Sequence, residues 1–225
     1  MGLMSGDNAD NPAGRSGDDL FGEDAAATGR HRRNVEPGHH LPAAGMLLVA
    51  MPTLADPNFR RTVVYLVAHG PDGSAGLILN RRTETSVQSV LPTWTAGAAR
   101  PQAVFAGGPV QRSGAMCLGI TRAGVDPAEV PGAVRVAGSV LLIDLDSDPT
   151  AAAQRLDGVR IFAGHAGWGG GQLAAEIEQG AWRVCRGRSS DVVAGPRVDL
   201  WFRVLRRQGF PTAWQAYLPT DVRAN

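Results

Sequence analysis

The sequence predicts an α+β domain whose sheet is mixed and largely antiparallel, with a few flanking helices. The chain has 225 residues, of which 44% are hydrophobic, and this suits a single domain with a sizeable core. Its strand-like segments are joined more often by short turns than by helices. Short turns join antiparallel neighbours, whereas parallel neighbours need a long connection, usually a helix.

Residues 1–38 are predicted to be a disordered acidic leader, followed by one domain over residues 39–225. The leader is rich in Gly, Asp, Asn, Ala and Arg and shows no hydrophobic period of a helix or a strand. Such a segment cannot bury enough apolar area to offset the entropy lost on ordering. Its RHRR run at 30–33 and the pair His39–His40 could contact an anion or a metal, but a solvated tail is the preferred interpretation.

The first ordered segments have the pattern of hairpin-linked strands. GMLLVAMP at 45–52 is a short apolar run that ends with a proline, and RTVVYLVAH at 61–69 is rich in β-branched and aromatic residues. Both patterns favour strands. GPDG at 70–73 predicts a turn, after which SAGLILN at 74–80 returns as the partner strand.

One short helix and four more strands are predicted in the middle of the chain. SVQSVLP at 86–92 has the pattern of a helix that stops before Pro92. The strands are QAVFAGGPV, AMCLGITR, AVRVAG and VLLIDLD, at 102–110, 115–122, 133–138 and 140–146. QRSG at 111–114 predicts a hairpin turn between the first two of these strands.

Asp148 and Pro149 indicate the start of a second helix, because Asp caps a helix N-terminus and Pro fits its first position. This helix would continue through TAAAQRL and end at Asp157–Gly158. VRIFAGH at 159–165 follows as a strand.

The segment GHAGWGGGQLAAEIEQG, residues 164–180, joins a cluster of glycines to good helix formers. We interpret it as a tight strand-to-helix turn in which Trp168 folds back onto the core, followed by a helix that ends at Gly180. It also matches the first two positions of a dinucleotide fingerprint, but Gln172 replaces the last glycine and the expected acidic residue is missing. An anion site at the helix N-terminus is the functional alternative.

A last strand and an amphipathic helix complete the predicted domain. The strand is AWRVCRG at 181–187, and the helix is PRVDLWFRVLRRQG at 196–209. The apolar stripe of this helix and its C-terminal cap are Val198, Trp201, Phe202, Leu205 and Gly209.

Composition excludes several classes of function. All 22 basic residues are arginine, so Schiff-base chemistry on lysine and a Walker A phosphate loop are excluded. A net charge of +1 gives no field that would draw the chain to nucleic acid or to an acidic membrane. Two cysteines are too few for a disulfide framework, and no run of about 18 apolar residues predicts a membrane span. We expect a reduced, cytoplasmic protein without a cofactor or a metal.

Two residues are candidates for a catalytic role, His165 and Cys185. His165 ends a predicted strand with no orienting acid or nucleophile beside it in the sequence. Cys185 alternates with Arg183, on the strand face opposite Trp182 and Val184. Positive neighbours lower the pKa of a thiol, although a packed, unreactive cysteine is the preferred interpretation.

Four segments resemble, in their order along the chain, the YqgE/AlgH family of bacterial proteins: GMLLVAMPTLADPNFRRTVVYLVAHGPDGSAGLILNR, VFAGGPV, RIFAGHAGWGGGQLAAEIEQGAW and LWFRVLRRQG. The resemblance covers about residues 41–225 and implies a single domain with a curled, partly barrel-like sheet in the bacterial cytoplasm. The family has no established enzymatic activity. Its AlgH branch carries a label of transcriptional regulator, for which this sequence supplies no DNA-binding motif.

The resemblance also indicates a candidate ligand or partner surface. The polar positions that match the family are Asp56, Arg61, Asn80, Arg81 and Gln172. The glycine-rich segment adds Gly164, His165, Gly167, Gly169, Gly170 and Gly171. His165 stands where many relatives have tyrosine, which argues against a catalytic role for it.

Three hypotheses of function follow. The first is a non-enzymatic regulatory or interaction module that binds a protein partner or a small anionic metabolite. One alternative is a hydrolase that uses His165 or Cys185 in a pocket, and the other is a DNA-binding transcriptional regulator. Neither sequence-specific binding of nucleic acid nor membrane association is expected.

Overall fold

The strands form one curled, half-barrel sheet with flanking helices, which confirms the α+β prediction. The structure is a computed structural model that describes residues 40–218, so the leader predicted at 1–38 lies outside the described residues. The strands are β1 (Met46–Ala50), β2 (Val63–Gly70), β3 (Gly73–Ile78), β4 (Arg82–Ser86), β5 (Ala103–Ala106), β6 (Val110–Thr121), β7 (Ala133–Ala137), β8 (Val140–Ile143), β9 (Leu156–Gly169) and β10 (Trp182–Arg186).

The helices are all short. The α-helices are α1 (Val87–Val90), α2 (Pro149–Ala153), α3 (Gln172–Glu178), α4 (Ser189–Val192) and α5 (Leu200–Arg206), and 3₁₀ helices span Pro92–Gly97, Pro127–Glu129 and Thr212–Tyr217. No helix within residues 40–218 has both the length and the apolar composition needed to cross a bilayer.

The order of the strands makes β9 the central element of the sheet. That order is β10-β1-β2-β3-β9-β6-β8-β7, and β5 pairs with both β4 and β9. The pairing of β5 with β9 is parallel, and the other strand pairs are antiparallel. The last four residues of β9 pair with β3, whereas its earlier residues pair with β6. One strand therefore belongs to both halves of the sheet.

In the central strands, alternate side chains enter two different apolar clusters, so both faces of this part of the sheet are covered. On the inner face, residues such as Leu47, Tyr65 and Phe162 belong to one buried cluster with Trp201 of α5. The outer face carries two separate clusters, one around Ile161 and the other around Trp168. The α5 helix is tied to the sheet as well, since Trp201 Nε1 donates to the carbonyl of Ala50 at 2.7 Å.

The hairpin turn predicted at 111–114 is wrong, because these residues lie inside β6. The strand continues because both of its ends pair with β9, Val110 with His165 and Ala115 with Ala163. The intervening residues bulge out between these two pairings, and Gln111 has a φ of 47°.

The predicted end of the second helix is also wrong. Pro149 starts α2 and the Asp148 side chain accepts from Thr150 N at 2.8 Å, as predicted, but the helix stops at Ala153. Asp157 and Gly158 lie in β9 instead, because pairing with β6 already begins at Leu156.

The last helix starts later than predicted, at Leu200 rather than at residue 196. Asp199 caps it by accepting a hydrogen bond from Phe202 N at 3.0 Å, which places Val198 before the helix. The buried residues of the helix are Leu200, Trp201, Val204 and Leu205, whereas Phe202 is only half-buried.

Candidate functional site

The sheet forks where β5 enters between β3 and β9. β3 pairs with β9 only as far as Gly76, which faces Ala166. Beyond that point Ile78 N donates to Gly107 O at 2.9 Å, and Gly107 N donates to Ala163 O at 2.8 Å. The turn that follows β5 thus takes the place of β9 beside β3.

Glycine is required at Gly107 and Gly164, because the backbone after β5 and the backbone of β9 approach each other too closely for a side chain to lie between them. A Cβ atom on Gly107 would collide with the carbonyl oxygen of Gly164, and one on Gly164 would lie 2.7 Å from Val110 O. Gly164 also has a φ of 69°, which disfavours any L side chain.

Gly164 changes the face that β9 presents. Before it, Ile161 lies in an outer cluster and Phe162 on the inner face. After it, Ala166 and Trp168 lie in the other outer cluster, so even-numbered positions have moved from the inner to the outer face. A bulge at Gly164 explains this change, because strict alternation would keep Phe162 and Ala166 on one face.

A cavity of about 370 Å³, called the fork cavity here, lies on the outer face between the two outer clusters. Its lining consists of Pro57, Asn58, Ile78, Arg81, Thr83, Ala106, Gly108, Pro109, Arg112 and Ala163. Two arginines and no carboxylate or histidine are among these residues. The Thr83 hydroxyl donates to Val104 O at 2.8 Å, so it is committed to the backbone.

Arg81 is held at the cavity by backbone carbonyl groups. Its Nη2 donates to Pro57 O and to Arg60 O, each at 3.1 Å. Asp56 shapes the same loop, since Asn58 N donates to Asp56 Oδ1 at 2.7 Å. These contacts fix the guanidinium of Arg81 without neutralising its charge.

Arg112 also lines the cavity and lies on the bulged part of β6. Its side chain is exposed and makes no hydrogen bond or ion pair with another residue of the range 40–218. The residue before it, Gln111, and Arg61 have φ values of 47° and 54°, and no other non-glycine residue in this range has a positive φ. Such conformations cost free energy and cluster at functional sites.

Arg61 and Asn80, both predicted to belong to the ligand or partner surface, make contacts that support the fold. Arg61 stacks over the Trp201 ring at 4.1 Å and pairs with Asp199 at 3.2 Å. Asn80 accepts from Val63 N at 3.0 Å and donates to Arg61 O at 2.8 Å. Neither side chain lines the fork cavity, and Asn80 keeps the strained residue Arg61 in place.

Gln172 also has a structural role. Its Oε1 accepts from Gly169 N at 3.1 Å, and its Nε2 donates to Glu176 Oε1 at 2.9 Å. Glu176 Oε2 in turn accepts from the indole Nε1 of Trp168 at 2.9 Å and of Trp182 at 2.8 Å. Sequence reasoning missed Glu176, although its spacing of four residues from Gln172 on a predicted helix was an available signal.

The glycine-rich segment is mostly strand, which corrects the predicted turn. Gly164, Gly167 and Gly169 belong to β9, and only Gly170 and Gly171 turn the chain into α3. Gly171 has a φ of 75° and caps this helix. Trp168 is 6% exposed, as the structural interpretation predicts. The predicted surface therefore does not form one site: Arg81 lines the fork cavity, whereas Gly167 and Gly169–Gly171 do not.

The residues of the hydrolase hypothesis are not brought together. β1, β2 and β3 lie between Cys185 on β10 and His165 on β9. Cys185 is fully buried, and burial raises the pKa of its thiol to about 12 in spite of Arg207 and Arg183 nearby. The His165 ring is half-buried and forms no hydrogen bond within the described part of the chain. No three His, Cys, Asp or Glu side chains in residues 40–218 are placed to hold a metal ion.

The chain is similar to proteins of several bacteria. A family model described as AlgH-like matches residues 47–213. A UPF0301 protein of Mycobacterium tuberculosis is 47% identical over 192 residues, covering 85% of this chain and 95% of that protein. A UPF0301 protein of Mycobacterium avium is 48% identical over 191 residues, with the same coverage of both chains, 85% and 95%.

Two solved structures have similar folds. The crystal structure of a Corynebacterium diphtheriae protein matches with a TM-score of 0.77 and 37% identity, covering 80% of this chain and 94% of the other. The solution structure of the AlgH protein from Pseudomonas aeruginosa matches with a TM-score of 0.57 and 28% identity, covering 78% and 94%.

Proposed function

The chain belongs to the AlgH-like family. We propose that it is a non-enzymatic module that binds a small anion in the fork cavity. The observation that carries the proposal is the lining of this cavity, which has two arginines and no acidic residue. Guanidinium groups bind carboxylates and phosphates through paired hydrogen bonds. The volume, about 370 Å³, is within the range of small-molecule sites.

The same lining argues for binding rather than catalysis. A general acid or base with a pKa near neutrality is needed for most hydrolytic chemistry. The ionisable side chains of the cavity are Arg81 and Arg112 alone, and an arginine stays protonated throughout the physiological range. These residues can attract and orient an anion, but they cannot transfer a proton to it.

The positions of the two arginines also favour an anion. Arg81 is fixed in advance by two carbonyl groups, which reduces the entropy lost when it binds a ligand. Arg112 has an uncommitted guanidinium and follows Gln111, whose φ of 47° is strained, in the bulge of β6. An anion between them would neutralise two cations that have no carboxylate partner in the described residues.

Arg112→Gln tests the proposal, with Arg135→Gln as the matched control because Arg135 is exposed on the edge strand β7. The probes are inorganic phosphate, pyrophosphate and succinate, titrated by calorimetry at constant ionic strength. We expect at least one probe to bind the unmodified protein, and Arg112→Gln to weaken it by about tenfold, which corresponds to about 1.4 kcal/mol. Arg135→Gln should leave the affinity unchanged. The proposal fails if no probe binds, or if both variants bind as the unmodified protein does.

A further inference from the structure

Arg160 is a buried cation without an acidic partner. It lies on β9, is 2% exposed, and faces the inner side of the sheet, where its guanidinium stacks over the Phe105 ring at 4.2 Å. Its Nη2 donates to Ala194 O at 2.9 Å and to Arg100 O at 3.2 Å. No Asp or Glu of residues 40–218 forms an ion pair with it.

The hydrogen bonding of Arg160 is also incomplete. Its Nε is buried and finds no acceptor among the residues that the structure describes. Burial lowers the pKa of Arg160 to about 10, so the group keeps its charge at neutral pH. An unpaired charge in an apolar interior is unfavourable, and buried charges are normally neutralised by a partner.

Arg160 lines a cavity of about 180 Å³, called the inner cavity here. Its lining consists of Leu79, Asn80, Arg82, Pro101, Phe105, Arg160, Ala194, Gly195, Pro196, Val198 and Leu200. Most of these side chains are apolar, and the amide of Asn80 is already bonded to the backbone at both ends. The charged groups of the lining are the guanidinium groups of Arg160 and Arg82, and that of Arg82 is exposed and lies 3.6 Å from Glu84 Oε1.

The inner cavity is separate from the fork cavity. Ile78 and Thr83 line the fork cavity, whereas Leu79, Asn80 and Arg82 line the inner cavity. The two cavities therefore lie on opposite sides of the same stretch of chain between β3 and β4. A ligand in one does not need the other to be occupied, so this inference does not rest on the function proposed above.

We propose that the inner cavity binds a short-chain carboxylate, whose charge neutralises Arg160 and whose tail lies against the apolar lining. A phosphate fits less well, because it has no apolar part to lie against a lining that is mostly apolar. A liquid water molecule occupies about 30 Å³, so the cavity holds roughly six non-hydrogen atoms. Butyrate has this size, an anionic end and an apolar tail.

Butyrate is the probe, and butyramide is its neutral control of the same shape. Butyrate is titrated into the full chain at constant ionic strength and followed by calorimetry and by the melting temperature. We expect saturable binding of butyrate and at least tenfold weaker binding of both butyramide and phosphate. Absence of saturable butyrate binding, or equal binding of butyramide, overturns the proposal.

Two variants locate the site. Arg160→Met removes the charge and keeps an unbranched apolar side chain, and Val198→Phe fills the cavity from its rim without changing Arg160, since Val198 is 37% exposed. Each should weaken butyrate binding at least tenfold. If Arg160→Met does not fold, Val198→Phe alone decides the question. Arg112→Gln, at the fork cavity, should bind butyrate normally, and unchanged binding by Val198→Phe would contradict the inner cavity as the site.

Discussion

The carboxylate of Glu176 binds two tryptophans, Trp168 and Trp182, which belong to the same outer cluster. Its Oε2 accepts hydrogen bonds from both indole groups, and Phe59 packs against the same two rings at 6.1 Å and 5.4 Å between centroids. Trp168 and Trp182 are 6% and 3% exposed, so their N–H groups have little access to water. Loss of the carboxylate would leave both donors unsatisfied.

Glu176→Ala is therefore expected to lower the free energy of unfolding by roughly 2 to 4 kcal/mol, because hydrogen bonds to a charged acceptor are strong and the buried donors lose their partner. Urea unfolding followed by tryptophan fluorescence measures the change. Glu178→Ala is the control, since Glu178 is exposed on the same helix, α3. Equal effects of the two substitutions would mean that the indole contacts contribute nothing.

The two cysteines give the chain a pH-dependent stability. Cys117 and Cys185 are fully buried, and burial raises the pKa of each thiol to about 12. In the unfolded chain the thiols ionise near pH 9, so above that pH the folded state binds more protons and stability falls as the pH rises. Between pH 8 and pH 10 the loss should be roughly 1 kcal/mol per thiol.

Urea unfolding of the reduced protein at pH 8 and pH 10 measures this loss. The variant Cys117→Ala with Cys185→Ala should be less stable at both values, but its stability should change less between them. The absence of lysine simplifies the measurement, because no lysine titrates near this range. An equal loss in the variant would assign the pH dependence to other groups.

The bulge of β9 at Gly164 lies where the strand passes from one half of the sheet to the other, between most of its pairing with β6 and its pairing with β3. Gly164 has a φ of 69°, and a Cβ atom there would lie 2.7 Å from Val110 O and 2.8 Å from Gly108 O. Gly164→Ala should therefore cost roughly 2 to 4 kcal/mol of unfolding free energy, from backbone strain and from the collision.

Gly167→Ala is the matched control in the same strand, because a Cβ atom at Gly167 meets nothing closer than 3.9 Å. Its unfolding free energy in urea should stay within about 0.5 kcal/mol of the unmodified protein. A small loss in Gly164→Ala, comparable to that of the control, would show that β9 does not need the bulge.

The elements that could be predicted from sequence are those with a local signal. The β2–β3 hairpin follows from GPDG between two apolar runs, and the start of α2 follows from Asp148 and Pro149. β4 could not be predicted, because RTETS is polar and becomes a strand only by pairing with β5. The strand predicted at 159–165 is shorter than β9, which extends to Gly169. Glycines occur both in turns and in bulged strands, so the sequence does not distinguish the two.

The candidate site could be predicted only in part, because it is a property of the whole molecule. The family resemblance indicated Arg81, which lines the fork cavity, and Asp56, whose turn shapes its wall. Arg112 carries no local signal, as it reaches the cavity only because β6 pairs with β9 around a bulge. The buried charge of Arg160 was hidden for the same reason, since its neighbours are distant in sequence.

Duplex DNA should bind weakly and without sequence preference. The net charge is +1, and many arginines are committed to partners within the chain, such as Arg203 and Arg207, which pair with the buried Asp191. Phosphate contacts supply most of the affinity of nonspecific binding. Titration of labelled random and promoter duplexes at physiological salt should give similar affinities, weaker than about 1 μM. Tight, selective binding of one duplex would favour the transcriptional-regulator alternative.

The strand order has a consequence for the growing chain during translation. β1, β2 and β3 are synthesised first, yet their outer partners, β9 and β10, end at Gly169 and Arg186. Until those residues have left the ribosome, both edges of the three-stranded unit have unpaired backbone groups and can pair with another nascent chain. The interval in which a neighbouring polypeptide can capture these edges is therefore set by the synthesis of residues 79–186, from the end of β3 to the end of β10.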